Sequence, residues 1–380
     1  MKIAILKETA LLERRVAITP EVVKKFVNLG AVVAIELGAG LGSALPDASY
    51  AEAGAVITDR TSVLVDADVV LTVRGPEPSS LAGLSRNAWL VGILDPLGNH
   101  DRIAGYAAAG LEALAMDFMP RITRAQSMDV LSSQSNLSGY KAVLDAAHEF
   151  GRAFPMMMTA AGTITAARVF IMGVGVAGLQ AIATARRLGA QVSATDVRSA
   201  VKEQIESLGA KPIFVEQVAG IEGEGAGGYA SEMSAEYQAA QAALVSSHIA
   251  KQDIVITTAL IPGKPAPRLI TDAQIAAMRP GSVIVDLAIE QGGNVEGSVA
   301  GEVVERYGVI LVAHRNLPSR LAADASALYA RNLFNFLSAF WNKDTGRPAL
   351  PANDEITRAI RLTHEGKIVN ERLLPKSADA

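Results

Sequence analysis

The chain of 380 residues contains no cysteine. Disulfides and thiolate metal sites are therefore excluded. Histidine is nearly as scarce: His100, His148, His248, His314 and His364 lie far apart, and no two have metal-ligand spacing. No metal is expected. Long apolar runs are missing too. Nothing reaches the ~18 consecutive apolar residues of a membrane span, and the first apolar stretch is too short for a signal peptide. A soluble, cytoplasmic chain is expected. There are no blocks of Lys or Arg, and the formal net charge is −4, which argues against nucleic acid as a partner.

What is present is core material. Half the residues are apolar and only 19% are charged, so nothing suggests disorder, and the length suits two domains. Short apolar runs alternate with helical patterns, which reads as α/β. Strands are expected near 3–6, 32–36, 67–73, 89–94 and 111–117. A helix is expected over 20–29, with Thr19 as N-cap, Pro20 at its first position and Gly30 as its stop. A second helix is expected over 136–154, with an apolar stripe at Leu137, Val143, Ala147 and Phe150. From about Met158 a second series of strands follows, near 169–172, 191–195, 212–215, 253–257, 282–286 and 309–312. A long helix over 319–341 then carries the chain back. The expected organisation is a first domain of residues 1–137 plus 330–380, with a second domain, 138–329, inserted into it.

Three segments carry chemistry. The first is Gly173-Val174-Gly175-Val176-Ala177-Gly178, between an expected strand and an expected helix, with Asp196 placed 18 residues after the last glycine. That context is the dinucleotide-binding one. Gly173 allows the tight turn, Gly175 lets the backbone approach a pyrophosphate, and Gly178 lets helix and strand pack closely. The helix N-terminus offers N–H groups and a positive dipole to phosphate. Asp196 would accept ribose hydroxyls and repel a 2′-phosphate, favouring NAD over NADP; Arg198 argues the other way, since it could hold a phosphate. The second segment is the polar run 120–136, with two Arg, two Gln, one Asp, one Asn and four Ser but no Gly. Such groups fix a polar small molecule by directed hydrogen bonds. The bland alternative is a solvated connector with a helix N-cap at Asn136. The third is a glycine cluster, Gly220, Gly223, Gly225, Gly227 and Gly228, followed by Tyr229. Such density suits a mobile lid, with Tyr229 closing onto the cofactor.

With these segments, and with Thr257-Thr258-Ala259-Leu260-Ile261-Pro262-Gly263-Lys264, Arg15-Val16-Ala17-Ile18-Thr19-Pro20, Val285-Asp286-Leu287-Ala288 and Gly292-Gly293-Asn294, the chain resembles the alanine dehydrogenase/nicotinamide nucleotide transhydrogenase family over nearly its whole length. Within that family it is most similar to the NAD(H)-binding subunits of proton-translocating transhydrogenases. The resemblance implies two Rossmann-like domains with parallel sheets, joined by long helices. It implies a homodimer that holds NAD(H) and docks with an NADP(H)-binding domain on a membrane-embedded partner. The location would be peripheral, on the inner face of the cytoplasmic membrane. On the nicotinamide side it implies Arg121, Gln126 and Asp129, with Arg124, Ser132 and Ser133 beside them. Val176, Asp196, Val197 and Arg198 match the adenosine side. Thr258 and Leu260 match a strand end facing the cofactor, and Gly228 and Tyr229 match the mobile loop.

The family's other branch serves as a contrast. An alanine dehydrogenase must bind a carboxylate and move protons beside the nicotinamide. Arg15 matches its carboxylate-binding arginine, but its lysine falls at about Arg74, its histidine at about Ile93 and its aspartate at Glu290. Arginine keeps the charge but cannot act as a base. Direct hydride transfer between two nicotinamides needs positioning rather than proton transfer. For Arg15 the expected role is an ion pair with Glu8 or Glu13; for Asp129 it is a pair with Arg121 that holds the loop. A non-catalytic NAD-sensing module is the remaining alternative.

Overall fold

The computed structural model describes residues 1–215 and 235–374. They form two compact units, one built from Met1–Gln134 together with the chain from Ser319 onward, the other from Ser135–Pro318. In the first unit six parallel strands, β1 (Lys2–Ile5), β2 (Val32–Glu36), β3 (Val56–Thr58), β4 (Val69–Arg74), β5 (Trp89–Ile93) and β6 (Glu112–Ala115), lie in the order β3-β2-β1-β4-β5-β6. The strands read as near-continuous apolar runs because helices cover both faces of a parallel sheet. Helices α1 (Pro20–Asn28), α2 (Asp47–Glu52), α3 (Arg60–Leu64) and α4 (His100–Ala108) follow β1, β2, β3 and β5. The strand order reverses between β1 and β4, and at such a switch point the chain diverges to leave a crevice at the carboxyl ends of the strands.

Helix α1 begins where expected, with Pro20 at its first turn and Gly30 beyond its end at φ +86°, but Thr19 caps through geometry alone. Its side chain makes no capping bond; its carbonyl accepts the N–H groups of Val22 and Val23, both at 2.9 Å. Helix α5 (Val130–Glu149) departs from expectation. It starts six residues before Asn136, because Asp129 supplies the cap: its carboxylate accepts the N–H of Ser132 at 2.9 Å and the Ser132 hydroxyl at 2.5 Å. The connector reading of the polar run fails for the same reason, since its second half is helix and residues 123–128 form a short 3-10 turn. The buried stripe of α5 in the second unit is Ala142, Val143 and Ala146, continued by Phe150, one position off the expected register at Ala147.

The second unit opens with an exposed hairpin that was not expected, β7 (Met157–Thr159) and β8 (Gly162–Ile164), while the first strand of its main sheet lies where it was expected, near 169–172. The main sheet is seven-stranded. It comprises β9 (Arg168–Met172), β10 (Gln191–Thr195), β11 (Lys211–Pro212), β12 (Ile254–Thr257), β13 (Val283–Asp286), β14 (Val303–Arg306) and β15 (Val309–Val312), in the order β11-β10-β9-β12-β13-β15-β14. All neighbours are parallel except β14 and β15. Helices α6 (Val176–Arg187), α7 (Lys202–Ser207), α8 (Ala235–Ile249) and α9 (Asp272–Ala276) intervene. The order reverses between β9 and β12, so this sheet also has a switch point.

The chain rejoins the first unit at Ser319 rather than at residue 330. Helix α10 (Ala322–Ala339) contributes to that unit's core from its first turns, through Ala325, Tyr329, Leu333 and Phe336. Its Ser326 Oγ accepts the N–H of Val16 at 3.0 Å. Helix α11 (Glu355–Ile360) follows, and beyond it the Thr363 hydroxyl donates to Leu111 O at 2.6 Å and accepts Ala113 N–H at 2.8 Å, which covers the edge strand β6. Tyr329 is fully buried and its hydroxyl donates to the carbonyl of Thr72 at 2.8 Å. Tyr329→Phe removes that donor and leaves a buried carbonyl short of a partner. Urea unfolding should register a loss of about 1–2 kcal/mol with an unchanged slope.

Candidate functional site

At the switch point of the second unit, β9 runs into a turn that only glycine can make. Gly173 has φ +97°, and its N–H donates to Thr195 O at 2.9 Å. Its carbonyl accepts the Thr258 hydroxyl, also at 2.9 Å. A Cβ on Gly178 would lie 2.0 Å from that same carbonyl, so the first turn of α6 packs directly on the loop. Gly175 caps α6 without a side-chain bond, and a Cβ built there meets nothing within 4 Å. The helix N-terminus thus opens onto unfilled space, the cradle a pyrophosphate requires. Asp196, at the end of β10, is buried and ties the loop down. It accepts Val174 N–H at 2.7 Å, and Arg198 through its backbone N–H, Nε and Nη2, all at 2.9 Å. Burial alone would raise the Asp196 carboxyl; the bonds from Arg198 and Val174 outweigh it and hold the group below its ordinary value. Gly173, Gly175, Val176, Gly178, Asp196, Val197, Arg198, Thr258 and Leu260 all sit at the carboxyl ends of β9, β10 and β12, and Leu260 is exposed.

The polar run belongs to the first unit as far as Gln134. Arg121, Arg124 and Gln126 are exposed, while Ala125 and Met128 are buried and anchor the turn. The expected pairing of Asp129 with Arg121 is replaced by the helix cap, in which both Asp129 oxygens serve Ser132. Arg124 Nη2 reaches Asp354 at 2.8 Å, and the one proton of the Ser133 hydroxyl is shared between Asn332 Oδ1 at 2.8 Å and Val130 O at 3.1 Å. Asn332 and Asn335 both donate to the carbonyl of Ser127, at 2.8 and 3.0 Å. The sequence reading missed Asp354, Asn332 and Asn335. They lie some 200 residues further on and form no local motif; an asparagine on the buried face of α10 was the one available signal. Gly228 and Tyr229 lie outside the described residues.

The switch point of the first unit holds a charged cluster. Arg15 is buried and forks onto Glu13, with Nε to Oε1 at 2.7 Å and Nη2 to Oε2 at 2.6 Å. Its Nη1 donates to Gln134 Oε1 at 2.8 Å. Arg74 also reaches Glu13, at 3.3 Å. Of the two expected partners, Glu13 therefore takes Arg15, and Glu8 has another task. Its carboxylate accepts the Thr72 hydroxyl at 2.9 Å and the N–H groups of Val73 and Arg74 at 2.6 and 3.2 Å, joining the ends of β1 and β4. Burial, helped by the neighbouring Glu13 charge, pushes the Glu8 carboxyl up to about 7 against those bonds.

Comparison with known proteins gives this arrangement a context. The N-terminal domain of the alanine dehydrogenase/PNT family matches residues 4–138, and its C-terminal domain matches residues 142–371. The chain belongs to the alanine dehydrogenase/PNT family. An NAD(P) transhydrogenase alpha subunit of Rhodospirillum rubrum is 52% identical, with all of both chains covered. The crystal structure of transhydrogenase from Sinorhizobium meliloti superposes with a TM-score of 0.88 at 54% identity, covering 97% of this chain and all of that one. The alanine dehydrogenase of Halomonas elongata is more distant, 28% identical over 97% of this chain and 94% of its own. At the positions where the resemblance seats the dehydrogenase's lysine, histidine and aspartate, Arg74 is tied to Glu13, Ile93 ends β5, and Glu290 accepts the N–H of Asn316 at 3.1 Å.

Two glycines separate binding from packing. Gly175→Ala fits the open space, so the melting temperature should hold while NADH affinity falls by about tenfold or more, read by titration calorimetry. Gly178→Ala drives a methyl into Gly173 O and should itself cost about 1–3 kcal/mol of stability. The raised Glu8 carboxyl also sets a pH dependence. Between pH ~4.5 and ~7 the folded chain keeps a proton that the unfolded chain has lost, so stability declines as pH rises through that window and levels off above it. The decline amounts to at most about 3 kcal/mol. Denaturant unfolding across this range should show it, and Glu8→Gln should abolish it.

Proposed function

We propose that the chain is the NAD(H)-binding subunit of a proton-translocating, Re/Si-specific NAD(P) transhydrogenase, working as a homodimer on the inner face of the cytoplasmic membrane through membrane-embedded partners. The observation that carries the cofactor reading is the open N-terminus of α6 at Gly175, beside an Asp196 held ionised. The full-length relatives carry the reaction. Gly173, Gly175, Val176 and Gly178 hold the pyrophosphate by backbone N–H groups and the helix dipole. Asp196 accepts the ribose hydroxyls. Four donors already fill the ~four acceptor positions of its carboxylate, so a hydroxyl binds by exchange with the Arg198 side chain. Because that side chain forks onto Asp196, its charge is neutralised rather than aimed at a 2′-phosphate, which favours NAD(H) here. Val197, Thr258 and Leu260 line the same strand ends.

On the first unit, Gln126 is the nicotinamide-side residue, and its neutral amide bonds the cofactor without perturbing ring charge. Arg121 and Arg124 flank it, Ser132 and Ser133 lie on the following helix turn, and Asp129 keeps that turn in place. The bound cofactor supplies a hydride that passes from C4 of NADH to C4 of NADP⁺ on the partner domain, giving NAD⁺ and NADPH. No proton moves at either ring, so the protein's task is placement. None of the helices among the described residues is long and apolar enough to cross a membrane, so proton movement belongs to the partner subunits.

The purified chain should bind NADH but show negligible turnover by itself. Adding the separately prepared NADP(H)-binding domain should restore hydride exchange between NADPH and an NAD⁺ analogue. Sedimentation should give twice the 39.7 kDa chain mass. With pyruvate and ammonium, NADH absorbance should stay constant; brisk oxidation would assign the chain to the alanine dehydrogenases. Binding without turnover even beside the NADP(H) domain would make it an NAD sensor.

A further inference from the structure

The polar turn that carries Gln126 has little to hold it internally. Its 3-10 geometry gives poorer hydrogen bonds than an α-helix, and only Ala125 and Met128 of residues 123–128 are buried. Its fixed point is the carbonyl of Ser127, the residue after Gln126. Two side-chain amides from successive turns of α10 converge on that one oxygen, Asn332 Nδ2 at 2.8 Å and Asn335 Nδ2 at 3.0 Å. Asn332 is 8% exposed, on a helix whose Tyr329, Leu333 and Phe336 are also buried, and an unbonded amide at such a position would be costly. Its orientation is unambiguous, because a carbonyl only accepts: Nδ2 must face Ser127, which leaves Oδ1 for the Ser133 hydroxyl at 2.8 Å. One side chain thus spans the Asp129 cap, gripping the chain two residues before it and four residues after it.

Ser133 is itself a residue of α5, and its hydroxyl, with one proton to give, has Asn332 Oδ1 as its nearer acceptor and Val130 O, at 3.1 Å, as its farther one. Its neighbour Gln134 is buried, receives Arg15 and donates to Ala325 O of α10 at 3.1 Å. The grip of Asn332 is therefore anchored to the rigid core and not to another loop. Replacing the amide would leave Ala125 and Met128 packed and α5 capped by Asp129. What would change is the lateral setting of the exposed face that carries Gln126.

We propose that Asn332 is a positioning residue for hydride transfer, setting through the Ser127 carbonyl the place of Gln126. The proposal rests on the reading of Gln126 given above. Asn332→Asp is the direct test: it keeps the shape and the acceptor for Ser133 but cannot donate to Ser127 O when ionised. In the chain mixed with the NADP(H)-binding domain, the hydride-transfer rate constant should fall about tenfold while the dissociation constant for NADH stays within about twofold. Asn335→Ala removes the weaker second donor at a half-buried position and should lower the rate by about two- to threefold with the same unchanged binding. Because it leaves the buried site intact, it tests the clamp even where Asn332→Asp lowers the melting temperature. A folded Asn332→Asp chain with the unmodified rate overturns the proposal, as does a loss confined to NADH affinity. Gln126→Ala separates the two levels: if it too transfers hydride at full rate, the reading of Gln126 fails; if it is slow while Asn332→Asp is not, only the clamp fails.

Discussion

The close approach of Gly178 to the carbonyl of Gly173 governs the second unit. At that contact no side chain separates helix from turn, so α6 is driven down onto the end of β9. Its first-turn N–H groups then face the space beyond the strand ends. The Thr258 hydroxyl and the Asp196 carboxylate lock the turn from β12 and β10, the strands on either side of β9. Open space beside Gly175 goes with this packing, bordered by backbone donors, a helix dipole and one ionised carboxylate.

The first unit shares the order of the second through five strands and puts its switch point to a different end. Its switch point is filled by the protein's own charges, with Arg15 forked onto Glu13 and Glu8 capping the backbone of β4. A buried ion pair of this kind contributes little net stability, but it is costly to break from one side. It therefore acts as a rigid floor, and through Gln134 it extends to the start of α5 and to α10. The polar turn stands on that floor. Its conformation comes from three stretches of chain far apart in sequence: the Asp129 cap, the α10 amides, and Asp354 at the start of α11.

How much of this was legible in the sequence depended on the range of the forces involved. Strand positions were readable because buried parallel strands must be apolar throughout, and β2, β10 and β15 lie where expected. The glycine turn was readable because each glycine answers a local steric demand. Register within α5 was not, since Ser, Gln and Asn are poor helix signals and the start is decided by one side chain, Asp129. The edge strand β14 and the hairpin β7–β8 were missed for a related reason: with one or both faces exposed, they lack the continuous apolar run.

By itself the sequence determined the α/β class, the glycine turn after β9, and the family, because each is written in contiguous residues whose local geometry or pattern admits few alternatives. Tertiary structure alone decided which carboxylate takes Arg15, that Asp129 caps a helix instead of pairing with Arg121, and that the Ser127 carbonyl hangs from α10. Those are choices among chemically equivalent donors and acceptors. Only the folded backbone, by bringing residues 13, 127 and 332 to their places, gives one of them the short, aligned bond.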